Sequence, residues 1–448
     1  MEPPIVDDRT NFDLIVKHGH QDLVQAVAFN SYGDRCATGS VDGKIRVFNR
    51  HKDGMWRHCD NWGAHGGEIL ELQWLPPTIY PNLLASLGIE GRFKLWAEDP
   101  SGHAGRRFNS SGARPSHGPS SSAFSVSSMS FSSATATPHH APPRDATAKP
   151  AFETRSRGSP FRSFSIRHND ETRHTFLALL AADGRLTVYE NDQPENLSEF
   201  NPLDEFTVCS KPTRGEETSF RVRFDPNLDV CYTALRAGVP TDALGLLVAA
   251  MDSVKIYRTR DTIISSLGMT AATKEFYLAA EISTHKGLVR DVAWAPGNIR
   301  GYDIVATACQ DGFVRIFSVS TPSAEGQGWS ASGLKKHAQH SPDEDSKRTG
   351  SSDQAHPKSG IRAGLDQSRT TGDRRSSGQP GQITHMIKEI AKLNAHQTPV
   401  WRVGFDDDGQ ILGSVGDEGK LMCYRQTPDG SWAKSSELAM MKMRMATA

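Results

Sequence analysis

The chain has 448 residues, more than one ordinary domain holds, so length alone points to two or three domains or one large repeat fold. Hydrophobic residues make up only 37%, with Gly and Pro plentiful, so part of the chain builds no core. Lys and Arg total 51 against 52 Asp and Glu, a net charge of −1, which argues against a general nucleic-acid or membrane-surface binder. No apolar run approaches the roughly 18 residues of a membrane span. Residues 1–8 carry Pro and acid rather than a basic-then-apolar secretory leader. Cys36, Cys59, Cys209, Cys231, Cys309 and Cys423 are scattered singly, without Cys-x-x-Cys spacing. They read as buried free thiols in a reducing compartment rather than a metal or disulfide framework.

After a flexible start at 1–10, residues 12–16 place Phe12, Leu14 and Val16 on one face of a short strand. A pattern then recurs: an acid, a Gly, and an aromatic six positions after the acid. It occurs at Asp42-Gly43 with Phe48, Glu90-Gly91 with Trp96, Asp183-Gly184 with Tyr189, Asp311-Gly312 with Phe317, and Glu418-Gly419 with Tyr424. A degraded copy, Asp252 with Tyr257, lacks the Gly and is one residue shorter. A small or apolar run precedes each turn and alternating residues follow it, as in Lys44-Ile45-Arg46-Val47. Alternation is the period of a half-buried strand, and acid-Gly is hairpin-turn chemistry. A further strand lies upstream of each hairpin, as in residues 23–29 and 288–294. The repeats fall near 11–50, 56–99, 151–190, 205–258, 275–320 and 384–426.

Two stretches interrupt this series. Residues 101–150 hold 13 serines, five Lys or Arg and a single acid, Asp145. Residues 322–381 hold only Trp329, Leu334, Ile361 and Leu365 as large apolar side chains. Neither buries enough apolar surface to offset its ordering entropy, and both are expected to be disordered insertions, as is a flexible tail at 441–448. Ser159-Pro160 and Ser341-Pro342 are minimal proline-directed phosphorylation sites. They leave two readings, a phosphorylation-tuned tether or an insertion without such a role.

Four repeats carry a histidine ahead of the turn acid: His20, His65, His285 and His396. This is the layout of WD40 repeats, although no copy keeps the terminal Trp-Asp. The expected fold is all-β, a six-bladed WD40 propeller over 11–440. In WD repeats the histidine and turn acid are joined through a Ser or Thr of the intervening strand, and Thr38 and Ser40 are placed to serve so. The structural positions are therefore His20, Asp42, His65, Glu90, Asp183, Asp252, His285, Asp311, His396 and Glu418. They recur once per blade around the ring, so neither a metal nor an acid–base site is expected. No phosphate loop or nucleophile elbow is present, so neither a cofactor nor an enzymatic activity is expected.

A blade needs four strands. Outer strands are expected at 56–62, near Phe152, and at 205–209, 275–282 and 386–393. The segment 432–439 completes the sixth blade and leaves 12–16 unattached. Either the N-terminal strand closes the ring in the usual way, or the ring is open and a partner supplies strands in trans. In the open case the seam comprises Phe12, Leu14, Val16, Val24, Val27 and Phe29.

Residues 18–24 and 32–38 resemble the first repeat shared by Sec-thirteen propellers and the nucleoporin Seh-one family. Residues 93–99, the motif Asn196-Leu197-Ser198-Glu199-Phe200, and residues 289–296 and 400–403 resemble Seh-one rather than Sec-thirteen. Phe48, Phe317 and Tyr424 depart from the family's Trp. The resemblance implies an open six-bladed propeller completed by a β-blade from an α-solenoid nucleoporin of the Nup-eighty-five type. It implies a place in the Y-shaped complex at the nuclear envelope and support of mRNA and protein transport. It also implies a second assembly, the SEA (GATOR-two) complex at the vacuole or lysosome surface, with a Sea-four or Mios-type donor and a role in TORC-one signalling. Two alternatives are a COPII-type vesicle-coat subunit and a peptide-binding WD40 adaptor. The adaptor would need exposed Arg or aromatic residues around the channel, where Arg290 and Arg402 are expected at equivalent places.

Overall fold

The computed structural model describes residues 16–78, 82–99, 107–108, 148–266, 269–297, 301–321, 382–394 and 396–439. Among these, six four-stranded antiparallel sheets follow one another along the chain, each a simple meander. The first is β1 (Val24–Phe29), β2 (Arg35–Ser40), β3 (Lys44–Arg50) and β4 (Trp56–Gly63); the second is β5 (Ile69–Trp74), β6 (Leu83–Gly88), β7 (Arg92–Ala97) and β8 (Phe152–Arg155). The third is β9 (Phe161–His168), β10 (Thr175–Ala181), β11 (Arg185–Asn191) and β12 (Asn201–Thr207); the fourth is β13 (Phe220–Phe224), β14 (Gly245–Ala250), β15 (Ser253–Ser266) and β16 (Met269–Ile282). The fifth is β17 (Val289–Trp294), β18 (Asp303–Cys309), β19 (Phe313–Ser320) and β20 (Met386–Asn394); the sixth is β21 (Val400–Phe405), β22 (Ile411–Gly416), β23 (Lys420–Gln426) and β24 (Trp432–Ala439). The six innermost strands ring a central cavity of about 770 Å³. This is a six-bladed propeller.

The recurring acid and glycine build the turn between the second and third strands in five of the six sheets. Asp42 Oδ1 accepts the Lys44 N–H at 2.9 Å, holding the chain reversal from the side-chain end. Gly43 takes φ 75°, which closes the three-residue connection. A Cβ there would also lie 2.4 Å from the His65 carbonyl oxygen, so both conformation and space demand glycine. The degraded copy solves the turn differently. β14 and β15 are joined by two residues, and Met251 carries the positive φ of 61° in place of the missing glycine.

Sheet faces pack in series. Ala26, Val47 and Trp62 meet Ile69, Leu72 and Trp96 between the first two sheets. Phe93 packs edge-on to Phe164, 5.1 Å between centroids, between the second and third. Further cores lie between sheets three and four, four and five, and five and six. No such core joins the sixth sheet to the first among the described residues. The outer slot of the sixth sheet is filled by β24 from the chain's own C-terminal side. Of the expected strand at 12–16, Phe12 and Leu14 lie outside the described residues, and Val16 is in no strand.

Several expectations are corrected. The outer strand of the third sheet begins at Asn201, not 205, because the Asp204–Phe206 run pairs with Leu186–Val188 and extends the ladder backward to Asn201. The outer strand of the fourth begins at Met269, not 275, because β15 and β16 pair as one long hairpin. A short helix, α1 (Tyr232–Arg236), intervenes between β13 and β14 over a small core of Val230, Cys231, Ala234, Val239 and Ala243. Residues 101–150 are not wholly without core. Phe108 is buried, stacked 4.8 Å from Trp62, and its N–H donates to Asp60 Oδ2 at 2.9 Å. Residues 101–106 and 109–147, and all of 322–381 and 441–448, lie outside the described residues.

Removing a ring from an inter-sheet core leaves a cavity the flanking sheets cannot fill. Phe93→Ala, fully buried between sheets two and three, is expected to cost about 3–5 kcal/mol. Equilibrium urea denaturation would show it as a lowered midpoint.

Candidate partner interface

Three of the four marked histidines form closed staples. His20 Nε2 lies 2.9 Å from Thr38 Oγ1, and its Nδ1 lies 3.1 Å from Asp42 Oδ2. His65 does the same with Ser86 at 2.7 Å and Glu90 at 2.6 Å, and His396 with Ser414 at 2.9 Å and Glu418 at 2.5 Å. With the acid accepting from Nδ1–H, each Nε2 accepts the hydroxyl proton. Ser86 then accepts the Trp96 indole N–H at 2.8 Å. Ser40, the other candidate relay, instead bonds Asp22 O and the Asp42 N–H. The acids titrate low: burial alone would raise Asp42, Glu90 and Glu418, but hydrogen bonds from backbone, hydroxyl and histidine outweigh it.

The fifth repeat breaks the pattern. His285 Nε2 meets Thr307 Oγ1 at 2.9 Å, but Asp311 turns to the Arg315 guanidinium at 2.6 Å, leaving His285 Nδ1 unpartnered. Asp183 caps the Arg185 N–H within its own turn, and among the described residues no side-chain hydrogen bond joins it or Asp252 to a histidine. Each staple is local to one sheet, and the groups do not converge on a shared cavity.

Between the sheets, the innermost strands are tied by polar bonds. Glu71 Oε2 accepts from Ser163 Oγ and from the Phe164 N–H, both at 3.0 Å, and Glu71 Oε1 lies 2.6 Å from Arg223 Nη1. Ser163 Oγ accepts the Val222 N–H at 3.2 Å. Asp291 Oδ2 accepts the Val403 N–H at 3.2 Å, with Arg221 and Arg223 each 3.7 Å from Oδ1. Arg223 and Arg221 overcome the burial that would raise Glu71 and leave its pKa low, whereas burial prevails at Asp291 and raises it.

Among the described residues the first and sixth sheets each have one side that shares no core with a neighbouring sheet, and strand register shows what lines it. On the first sheet Val27 pairs with Thr38 and Arg46, and Phe29 with Cys36, Phe48 and His58. These rows face away from the core shared with sheet two. Val27 and Phe29 are 55% and 57% exposed, Val24 is half-buried, and Trp56 packs edge-on to Phe29 at 5.7 Å. On the sixth sheet Arg402 pairs with Val415, Leu421 and Leu438, and Gly404 with Gly413, Cys423 and Ser436. Cys36, Phe48, Trp56, Val415, Leu421 and Arg402 were not expected at the seam from sequence. Strict alternation held the signal, since each lies an even number of places from a residue of the same face.

The register also corrects one equivalence. Arg290 matches Trp401 as the bulge residue, and its guanidinium lies 4.5 Å from the Trp401 ring. Arg402 matches Asp291.

Four-stranded sheets around a channel, carrying His–hydroxyl–acid staples, define a WD40-repeat propeller. The family model "WD domain, G-beta repeat" matches residues 13–49, 277–318 and 387–425. Nucleoporin SEH1 of Chaetomium thermophilum is 55% identical, over 99% of this chain and 98% of that protein. Nucleoporin SEH1 of Saccharomyces cerevisiae is 26% identical over 91% and 94%, and that of Homo sapiens 22% over 92% and 84%. The chain belongs to the nucleoporin SEH1 family. No helix among the described residues is long and apolar enough to cross a membrane.

The buried histidines predict an acid-side loss of stability. Burial, with Arg315 nearby, holds His285 at about 4, and burial with Arg258 nearby holds His385 at about 3. Unfolded histidine titrates near 6.5. Between these values only the unfolded chain takes up protons, so stability is full above about pH 6.5 and falls as pH drops toward 4. Asp303, raised by burial and Asp225, acts in the opposite sense. His385→Gln is therefore expected to shrink the difference between urea midpoints at pH 7.5 and 5.0 relative to wild type.

Proposed function

We propose that this chain is a structural, non-enzymatic subunit of the nuclear pore scaffold, the Y-shaped complex, and that it holds its partner by accepting a β-blade into the gap between its first and sixth sheets. The observation that carries this is the count of inter-sheet cores among the described residues: five for six sheets, while β24 already fills the outer slot of the last sheet. An exposed apolar row at Val27 and Phe29 faces the gap. A donated sheet would bury that row as the neighbouring sheets bury theirs, with side chains selecting the partner. The donor in this reading is an α-solenoid nucleoporin of the Nup-eighty-five type. The seam in this reading comprises Val24, Val27 and Phe29, and takes in the sequence-assigned Phe12, Leu14 and Val16, of which Phe12 and Leu14 lie outside the described residues. The site of action is the nuclear envelope, in support of mRNA and protein transport.

The same seam would serve a Sea-four or Mios-type donor in the SEA complex at the vacuole or lysosome surface, linking the chain to TORC-one signalling. Co-expression with candidate solenoid partners is the test, and a stable one-to-one complex is the expected result. Val27→Asp with Phe29→Asp would place charge in the dried seam and weaken capture at least tenfold, about 1.4 kcal/mol or more. Both side chains are exposed, so the melting temperature of the free protein should stay within a few degrees of wild type. Recovery of a vesicle-coat partner alone, or unchanged capture by the double variant, would overturn the reading.

A further inference from the structure

The blade-donation reading leaves open what the inserted strand must carry, and the register of the innermost strands answers that; the inference rests on that reading. Four of these strands align through the hydroxyl that meets the staple histidine. Val27 pairs with Thr38, Leu72 with Ser86, Val292 with Thr307, and Val403 with Ser414. The residue before each is Ala26, Glu71, Asp291 and Arg402.

At this place a carboxylate ties one sheet to the next. Glu71 accepts the Phe164 N–H of the following sheet, and Asp291 accepts the Val403 N–H of the following sheet. Both carboxylates also face arginine. Glu71 bonds Arg223, and Asp291 stands between Arg221 and Arg223 of the preceding sheet. Asp291 thus has two guanidiniums at ion-pair distance, 3.7 Å, behind its Oδ1 and accepts an amide from ahead at Oδ2.

The last sheet presents the opposite charge. Arg402 is exposed, makes no ion pair or side-chain hydrogen bond among the described residues, and shares its row with Val415 and Leu421 on the open side. Across the gap, the Val27 N–H occupies the place of the Val403 N–H and has no side-chain acceptor among the described residues.

We infer that the blade entering the gap carries an Asp or Glu on its innermost strand at the place of Glu71 and Asp291. That carboxylate accepts from the Val27 N–H and pairs with Arg402, as Asp291 does with Val403 and the arginines behind it. Arg402 is then a specificity-determining residue. A serine there, like Ser163, would satisfy the amide but leave a guanidinium losing its water unpaired, and a basic side chain would repel it.

The test is capture of the co-expressed helical partner by full-length R402E and R402A, with V27D/F29D in parallel. R402E is expected to weaken capture tenfold or more and R402A less. Reversing the acid on the partner's innermost strand to Arg should restore capture by R402E while impairing capture by wild type. The exposed Arg402 makes no described contact to lose, so the free variants should melt with wild type. If V27D/F29D loses the partner while R402E captures it normally, blade donation stands and this inference falls. Failure of the reversed partner to restore R402E also overturns it. If no variant loses the partner, donation fails and the inference with it.

Discussion

A β-sheet has two faces, and in water both of a small twisted sheet must be covered if the strands are apolar on both sides. That constraint organises the whole molecule. β6 is buried at every position, as are β10, β14 and β18, because each second strand lies between two neighbouring sheets. β2, in the first sheet, is nearly so, whereas β22 in the last alternates between buried positions and ones that are half-buried or, at Ile411, exposed. Among the described residues the middle sheets share cores on both sides, and the first and sixth share a core on one side only. Everything proposed for the molecule follows from where that covering stops.

Polar bonds refine what apolar packing begins. Sheet-on-sheet cores are tolerant of shape, and on their own would allow one blade to slide against the next. The bonds from Glu71 to Phe164, Ser163 to Val222 and Asp291 to Val403 run through the narrow inner rim and fix the offset of each pair. Arg35, bidentate on Glu98 at 2.6 and 3.1 Å, performs the same task farther out between the first two sheets. Such buried ion pairs contribute little net energy compared with apolar packing but are costly to break singly, which suits them to setting register.

The fold was largely legible because its signals are local: a turn acid, a glycine with positive φ, and alternation on either side. Even the copy without glycine was readable from spacing, with Met251 bearing the strain. Less legible was whatever depends on contacts distant in sequence. Nothing near Phe108 announces that this aromatic returns from a Ser-rich segment to stack on Trp62. Likewise α1 is five residues long and too short to carry a periodic signal. The equivalence drawn between Arg290 and Arg402 failed because a β-bulge shifts the count by one between Val289 and Asp291, and again between Val400 and Arg402. The paired Trp401 shows where the true match lies. Bulges of this kind move a side chain to the other rim without altering composition, so only register reveals them.

The fifth sheet holds one more consequence. Thr321 and His385 join side chains at 2.7 Å, and Ser320 pairs with Met386, so the chain leaves and re-enters the sheet at a single point. Loop entropy grows only slowly with length, so the sheet is nearly indifferent to how many residues separate these two positions. The site is a natural splice point: with Ile383 kept on the α1 core, residues 322–381 can be shortened, lengthened by a folded cargo, or cut to make fresh ends, with the propeller itself little changed.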